Sequence, residues 1–443
     1  LKNIVIIGNG ISGITLARHV RKLSDHKITV ISSETEHFFS RTALMYVYMG
    51  HMKFEHTKPY EDWFWKKNRI DLVFDRVEKI DFSNKNLQLK SGNTISYNDL
   101  VLAVGSKPNI PKLPGNDFKG VQGLFSYQDL LSLEENTKGI KKAVVSGGGL
   151  IGIELVEMLL SRGISVSYLI REFKFWNKVL PKEEGDMVAD HMLEHHVDLR
   201  LGTEIKEICG DQNNRVNAVQ SISGEKIETE FVGLCVGVGP NIEFLKNSEI
   251  KTNRGILINE YLETNIQNVY AIGDCAEFEK PLKGRTSLEQ IWYTGRMQAE
   301  TLAQTLCGKR TEYKPNNFFN SAKLFDIEYQ VYSRDVILDD KFDSFFYLNS
   351  KEKKSIRIYF NPENGLFEGV NLLGVRYRHE VCNRWLNEKR SVEYVLEHLS
   401  DANFDPEFYK HYETSLIDIY NKKYNKNISL KKKSWKRILG INQ

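Results

Sequence analysis

At 443 residues the chain is longer than one hydrophobic core usually organises, so two or three domains are expected. Its composition, 41% hydrophobic and 27% charged, is that of a folded globular protein, and a net charge of +3 with no basic stripe argues against nucleic acid as a partner. Cys209, Cys235, Cys275, Cys307 and Cys382 lie far apart with no CxxC pair, and read as reduced thiols of a cytosolic protein. No apolar run approaches the roughly 18 residues needed to span a bilayer, and a first strand begins at once, leaving no room for a leader. The expected address is the cytoplasm.

Residues 3–13, NIVIIGNGISG, put an apolar strand directly against a glycine turn, with a helix expected over 14–23. Gly8, Gly10 and Gly13 have the spacing of a dinucleotide site: a tight turn, backbone near pyrophosphate, and close packing of helix on strand. A plain tight turn gives the same spacing, but a second copy, Gly147, Gly149 and Gly152, follows an apolar strand at 142–146. Residues 27–31 form the next strand, and Glu34 just beyond it is the candidate for an adenosine ribose, with a solvated turn glutamate as the alternative. Arg41, in the aromatic segment 38–50, suits a dinucleotide phosphate or adenine, or is a surface arginine. Residues 69–82 and 86–95 alternate as a β-meander. An apolar strand at 99–104 ends in Gly105, Ser106, Lys107 and Pro108, the last two read as a loop leaving the sheet.

From about residue 115 the pattern restarts with a helix at 126–133, the second glycine turn, a helix at 151–162 and a strand at 165–170. A charged aromatic loop runs to Trp176, and strands are expected at 198–200, 215–221 and 230–236. The first unit resumes at 268–272, a strand ending in Gly273 and Asp274, followed by a helix over 287–306. Asp274 follows an apolar strand and a glycine, so a hydroxyl-rich ligand could donate to its carboxylate; the alternative is an ordinary helix N-cap. Glu154, between Ile153 and Leu155, is either partly buried at a site or a solvated helix glutamate. Beyond 314 come strands at 345–348, 355–360 and 367–373, then helices near 380–386, 392–399 and 406–420. The expected fold class is α/β: two Rossmann-like units, the second (115–245) inserted in the first (1–114 and 246–314), plus an α+β domain at 315–443.

Four stretches in order, IVIIGNGISG, LVLAVGSKP, VVSGGGLIGIE and VYAIGDCAEF, resemble the two-dinucleotide-binding-domain flavoproteins, the FAD-dependent pyridine nucleotide disulfide oxidoreductase superfamily. The resemblance covers about the first three quarters of the chain. It implies that Gly8, Gly10 and Gly13 hold the FAD pyrophosphate, Glu34 the adenosine ribose and Arg41 the same end. Asp274 after Gly273 would bind the ribityl or pyrophosphate portion, with Ala103 and Gly105 also at the cofactor. Gly147, Gly149 and Gly152 would cradle NAD(P)H, with Glu154, the one candidate catalytic residue, near nicotinamide and flavin. Glu289, Gln290 and Ile291 would stand where a helix N-terminus meets the flavin's pyrimidine edge and stabilises the reduced anion.

Departures from the family pattern narrow the chemistry. Where disulfide reductases carry a redox cysteine the chain reads SRTALMY, and no cysteine precedes Cys209, which excludes dithiol relay and single-cysteine chemistry by this route. Electrons would therefore pass from reduced flavin to an external acceptor. The string around Arg41 is similar to NADH-dependent reductases of ferredoxin, rubredoxin and nitrite reductase components, although Tyr46 replaces a lysine and Leu150 an aromatic residue. Ile170 stands where an acid would select NADH, and Arg171 next to it suits a 2′-phosphate or is a surface charge, so NADH and NADPH stay open.

The last domain is expected to be a homodimer interface or a cover beside the flavin. Residues 369–385, with Arg376, Arg378 and His379, are read as structural, with acceptor docking as the alternative. The basic tail 430–441, with Trp435, Ile438 and Leu439, either rests on an anionic membrane at its inner face or is a frayed terminus. The expected function is an FAD-dependent NAD(P)H oxidoreductase with an iron–sulfur or rubredoxin-type protein or a quinone as acceptor. The alternative is a slow-turnover NAD(P)H-sensing flavoprotein acting as a docking or regulatory subunit.

Overall fold

The strand Asn3–Ile7 is the middle of a five-stranded parallel sheet, flanked by Lys27–Ser32 and Ile70–Phe74 on one side and by Asp99–Leu102 and Val269–Ala271 on the other. In this computed structural model, which describes residues 1–336, 341–404 and 410–431, the contacts divide the chain into two compact units. The first comprises 1–180, 192–282 and 286–315; the second comprises 181–191, 283–285 and the residues from 316 onward.

Both faces of the first sheet are covered, which is why Ile4, Val5, Ile6, Leu100, Val101 and Leu102 are all fully buried and the strands read as apolar runs. The helices Ile11–Leu23 and Trp292–Leu306 pack on each other against it. A second parallel sheet in the same unit repeats the plan around Lys142–Ser146, with Ser165–Ile170 and Asp198–Leu201 on one side and Phe231–Leu234 and Val121–Gln122 on the other. Each sheet carries its own antiparallel three-stranded meander. The chain passes from the first sheet to the second and back along one antiparallel ribbon, Ser106–Pro108 against Val238–Pro240. The fold class is therefore α/β, with one dinucleotide-type unit inserted in another.

In the second unit five antiparallel strands stand in the order Phe318–Leu324, Ile327–Ser333, Phe367–Leu373, Lys354–Phe360, Asp343–Asn349. The helices His379–Asn387, Val392–Glu397 and Glu413–Tyr424 share its core, in which Trp385, Phe345 and Phe367 are buried. Arg357 is buried there with Glu184: its Nε meets Oε1 at 2.7 Å, its Nη2 meets Oε2 at 2.9 Å, and the guanidinium lies 4.0 Å from the Phe346 ring centroid. The 369–385 stretch packs within this unit. Its strand residues are buried, Arg376 is bound to Glu328, and the His379 ring lies beside Phe319 and Tyr332.

Several local expectations need correction. The helix expected over 14–23 begins at Ile11, directly on the glycine turn. Residues 69–82 are two strands: Ile70–Phe74 joins the parallel sheet as its edge, and only Val77–Asp81 enters the meander. The helix expected from 287 starts at Trp292, because Leu288 is still extended and bridges Glu277. The last helix runs over Glu413–Tyr424; of the expected 406–420, residues 410–412 are not helical and 406–409 lie outside the described residues. The helix Lys182–Glu194 has no counterpart in the sequence reading, because Glu184 and His191 take two of its buried positions and break the apolar period that Met187, Val188 and Met192 would have shown. The tail beyond 431, with Trp435, Ile438 and Leu439, lies outside the described residues.

Candidate cofactor site

The glycines of the first turn divide into two that the fold needs and one that it does not. Gly8 has φ +112°, and a Cβ on it would lie 2.1 Å from the carbonyl oxygen of Ala103. Gly13 rests on Gly8, where a Cβ would lie 2.0 Å from the Gly8 carbonyl oxygen. Gly10 is the helix N-cap with φ −69° and ψ −176°, and nothing lies within 4 Å of its Cβ position. Backbone N–H groups of the first helical turn thus face open space with no side chain capping them, which is the setting for a phosphate.

The second turn repeats this geometry. A Cβ on Gly147, at φ +123°, would lie 2.1 Å from the Cys235 carbonyl oxygen, one on Gly152 would lie 2.1 Å from that of Gly147, and nothing lies within 4 Å of the Cβ position of the N-cap Gly149. Each turn also donates across to the neighbouring strand, Gly8 N–H to Ile31 at 2.8 Å and Gly147 N–H to Leu169 at 3.1 Å. Two turns that independently leave only the middle glycine open are hard to explain by packing alone.

A cleft of about 710 Å³ opens from the first turn, within the usual size of ligand sites. Glu34 and Arg41 line one part of it and hold each other, Nη1 to Oε1 at 2.8 Å and Nη2 to Oε2 at 2.6 Å. The Tyr127 N–H also donates to Glu34 at 2.9 Å, and the Arg41 guanidinium lies 4.6 Å from the Phe125 ring centroid. Asp274 faces the same cleft, where burial pushes its carboxyl up while the Ser106 hydroxyl, donating to Oδ2 at 3.0 Å, and the charge of Arg41 pull it down. Its turn is held tightly: Gly273 donates to Gln298 Oε1 at 2.7 Å, and Cβ atoms on Gly273 or Gly295 would each lie 2.4 Å from Ser12 Oγ. The start of the first helix, the Gly273–Asp274 turn and the long helix therefore meet at one point.

The structure brings Gly8, Gly10, Glu34, Arg41, Ala103, Gly105, Asp274 and Gln290 around this cleft, and Glu154 reaches it from the second glycine helix. Gly13 and Gly273 lie behind it as packing positions. Glu289 and Ile291 are not in the lining: Glu289 accepts from the Thr294 hydroxyl at 2.9 Å, and Ile291 is the N-cap of the long helix, whose first residue, Trp292, does line the cleft. Gly147, Gly149 and Gly152 stand on the second sheet, away from this lining. Ile151 rather than Leu150 faces the cleft, and Tyr46 does not line it. Ile170 is fully buried beneath Gly148, whereas Arg171 is exposed and paired with Glu172 at 2.9 Å.

No cysteine lines the cleft. Cys235 and Cys275 are buried with thiols pushed up to about 12 by desolvation, and burial also raises Cys382. Desolvation thus disfavours the thiolate, the reactive form, in all three. Ser106 is the residue the sequence reading passed over. It sits in the string GSKP, whose Lys107 and Pro108 were expected to form a loop but belong with Ser106 to a strand of the antiparallel ribbon, and only the fold brings Asp274 and Gln290 to it.

Residues 2–300 match the pyridine nucleotide-disulphide oxidoreductase family. The chain is 29% identical over 378 residues to the NAD(P)H nitrite reductase of Bacillus subtilis, covering 84% of this chain and 44% of that protein. It is 31% identical over 312 residues to the NADH-rubredoxin oxidoreductase of Clostridium acetobutylicum, covering 70% of this chain and 76% of that one. The chain thus spans less than half the length of the nitrite reductase. Among solved structures, a ferredoxin reductase from Rhodopseudomonas palustris shares the fold with a TM-score of 0.78 at 23% identity, covering 91% of this chain and 96% of that one. With two glycine turns of matching geometry and a family match over its first 300 residues, the chain belongs to the pyridine nucleotide-disulphide oxidoreductase family, flavoenzymes that use FAD and NAD(P)H.

Proposed function

We propose that this FAD-dependent NAD(P)H oxidoreductase delivers electrons from its flavin directly to an external acceptor, a rubredoxin- or ferredoxin-type iron protein first and a quinone second. The observation that carries the reading is a cofactor cleft lined without a cysteine, in a chain whose buried thiols are held protonated. FAD, when bound, supplies hydride acceptance and electron release. The chain's own residues bind, orient and exclude water. The open N-cap at Gly10 takes the FAD pyrophosphate, Glu34 and Arg41 the adenosine end, and Asp274 the hydroxyls of the ribityl chain. The open N-cap at Gly149 takes the pyrophosphate of NAD(P)H, and Glu154 with Ile151 meets the nicotinamide end.

On this reading residues 1–114 and 246–314 bind FAD, residues 115–245 bind NAD(P)H, and residues 315–443 form an interface or docking domain. Relatives named for rubredoxin and ferredoxin reduction support the choice of acceptor. No helix among the described residues is long and apolar enough to cross a membrane. The test is a reductase assay with NADH and NADPH in parallel against rubredoxin, ferredoxin, a quinone and oxygen. Fast turnover with an iron protein supports the reading. A reduced flavin that persists with every acceptor contradicts it.

A further inference from the structure

We propose that Ser106 is a positioning residue that fixes the hydrogen-bond polarity of the cleft, turning the side-chain carbonyl of Gln290 toward an N–H donor of the ligand, the imide of a flavin ring. The inference rests on the FAD reading above. Ser106 is 6% exposed at the start of the ribbon strand Ser106–Pro108, Asp274 lies in the turn after Val269–Ala271, and Gln290 directly precedes the N-cap of the long helix. All three line the cleft. Ser106 Oγ is 3.0 Å from Asp274 Oδ2 and 2.6 Å from Gln290 Nε2.

Proton counting sets the direction of this chain. A hydroxyl has one proton to give, and an ionised carboxylate only accepts, so the Ser106 proton goes to Asp274. The same oxygen can then only accept from Gln290, so the amide nitrogen must face it and Oε1 must face away. Neither Gln290 Oε1 nor Asp274 Oδ1 accepts a hydrogen bond from any described residue. The cleft therefore offers two acceptors at fixed places: Asp274 Oδ1 for hydroxyl donors, and Gln290 Oε1 for an N–H. Without the Ser106 hydroxyl nothing described would hold the amide in that sense, and Gln290 could present either end.

The test uses apoprotein titrated with FAD and with FAD methylated at its imide nitrogen, followed by flavin fluorescence. Wild type should prefer FAD by roughly tenfold, the loss expected when one buried acceptor goes unsatisfied. Ser106→Ala should weaken FAD by about tenfold and shrink the preference to about threefold or less, because the amide turns over. Ser106→Thr should restore both, and Gln290→Leu should abolish the preference. If Ser106→Ala weakens both ligands equally, the residue is only structural and the relay is wrong, while FAD binding by wild type leaves the functional reading standing. If wild type binds neither ligand, the functional reading and the relay both fall.

Discussion

Substitution at Gly10 separates the needs of the fold from the needs of the ligand. Gly10 has φ −69° and ψ −176°, a conformation open to valine, and nothing lies within 4 Å of its Cβ position. Gly10→Val should therefore cost the apoprotein no more than about 1 kcal/mol, the scale of replacing a tolerated N-cap residue by a poor one. Gly8→Ala is the contrast, since φ +112° alone costs about 1–3 kcal/mol for a residue with a Cβ. The 2.1 Å approach to the Ala103 carbonyl oxygen adds an overlap that only a backbone shift can relieve. In ligand binding the order reverses for the folded proteins. The valine fills the space in front of the helix N-terminus and displaces one or two charge-assisted bonds to phosphate, so FAD should bind at least about 100-fold more weakly, about 2.8 kcal/mol. Urea denaturation of deflavinated protein gives the first quantity and fluorescence titration with FAD the second. Wild-type FAD affinity in Gly10→Val, or unfolding as severe as in Gly8→Ala, would refute the reasoning.

Four further outcomes follow from the same geometry. Gly149→Val should keep wild-type FAD content but slow flavin reduction by NAD(P)H at least about tenfold in stopped flow, and loss of yellow colour would count against the division of the two turns. Glu154→Gln should also retain FAD while lowering the reduction rate about tenfold, and an unchanged rate would remove Glu154 from the site. Asp274 has a folded value raised above the ordinary 3.8, so it stabilises the apoprotein at low pH and loses that contribution as pH rises through the folded value, with Arg41, Ser106 and the neutral Cys275 thiol as its neighbours. Asp274→Asn should therefore raise the melting temperature of the apoprotein at pH 7 while weakening FAD about tenfold or more; a lower melting temperature would contradict the burial argument. Arg357→Met should destabilise the second unit by about 3–5 kcal/mol in urea, because it strands the buried carboxylate of Glu184, and Glu184→Gln combined with it should recover part of that loss.

The sequence made legible whatever is local and periodic. Two glycine turns after apolar strands, and an acid following a glycine at the end of another, point to the cleft because a short stretch of backbone creates each feature. The strands 3–7 and 142–146 were readable because burial on both faces makes Ile4–Ile7 and Ala143–Val145 continuous apolar runs. Less legible was whatever depends on residues far apart in the chain. The pairing of Glu34 with Arg41 and Tyr127, and the chain from Gln290 through Ser106 to Asp274, join segments up to 184 residues apart, and no spacing rule reports them. The helix Lys182–Glu194 was hidden for a related reason: its buried face includes a glutamate whose partner, Arg357, lies on another element. Absence carried as much as presence, since SRTALMY, with no cysteine, already separated this chain from the disulfide reductases of its family.

That separation is tested most directly by counting electrons. Anaerobic titration of the holoprotein with dithionite, and then with NAD(P)H, followed by the flavin absorbance, should consume two electrons per FAD with no long-wavelength thiolate-to-flavin band at any stage. Uptake of four electrons per FAD, or appearance of that band, would show a redox-active thiol at the flavin and contradict direct transfer to an external acceptor.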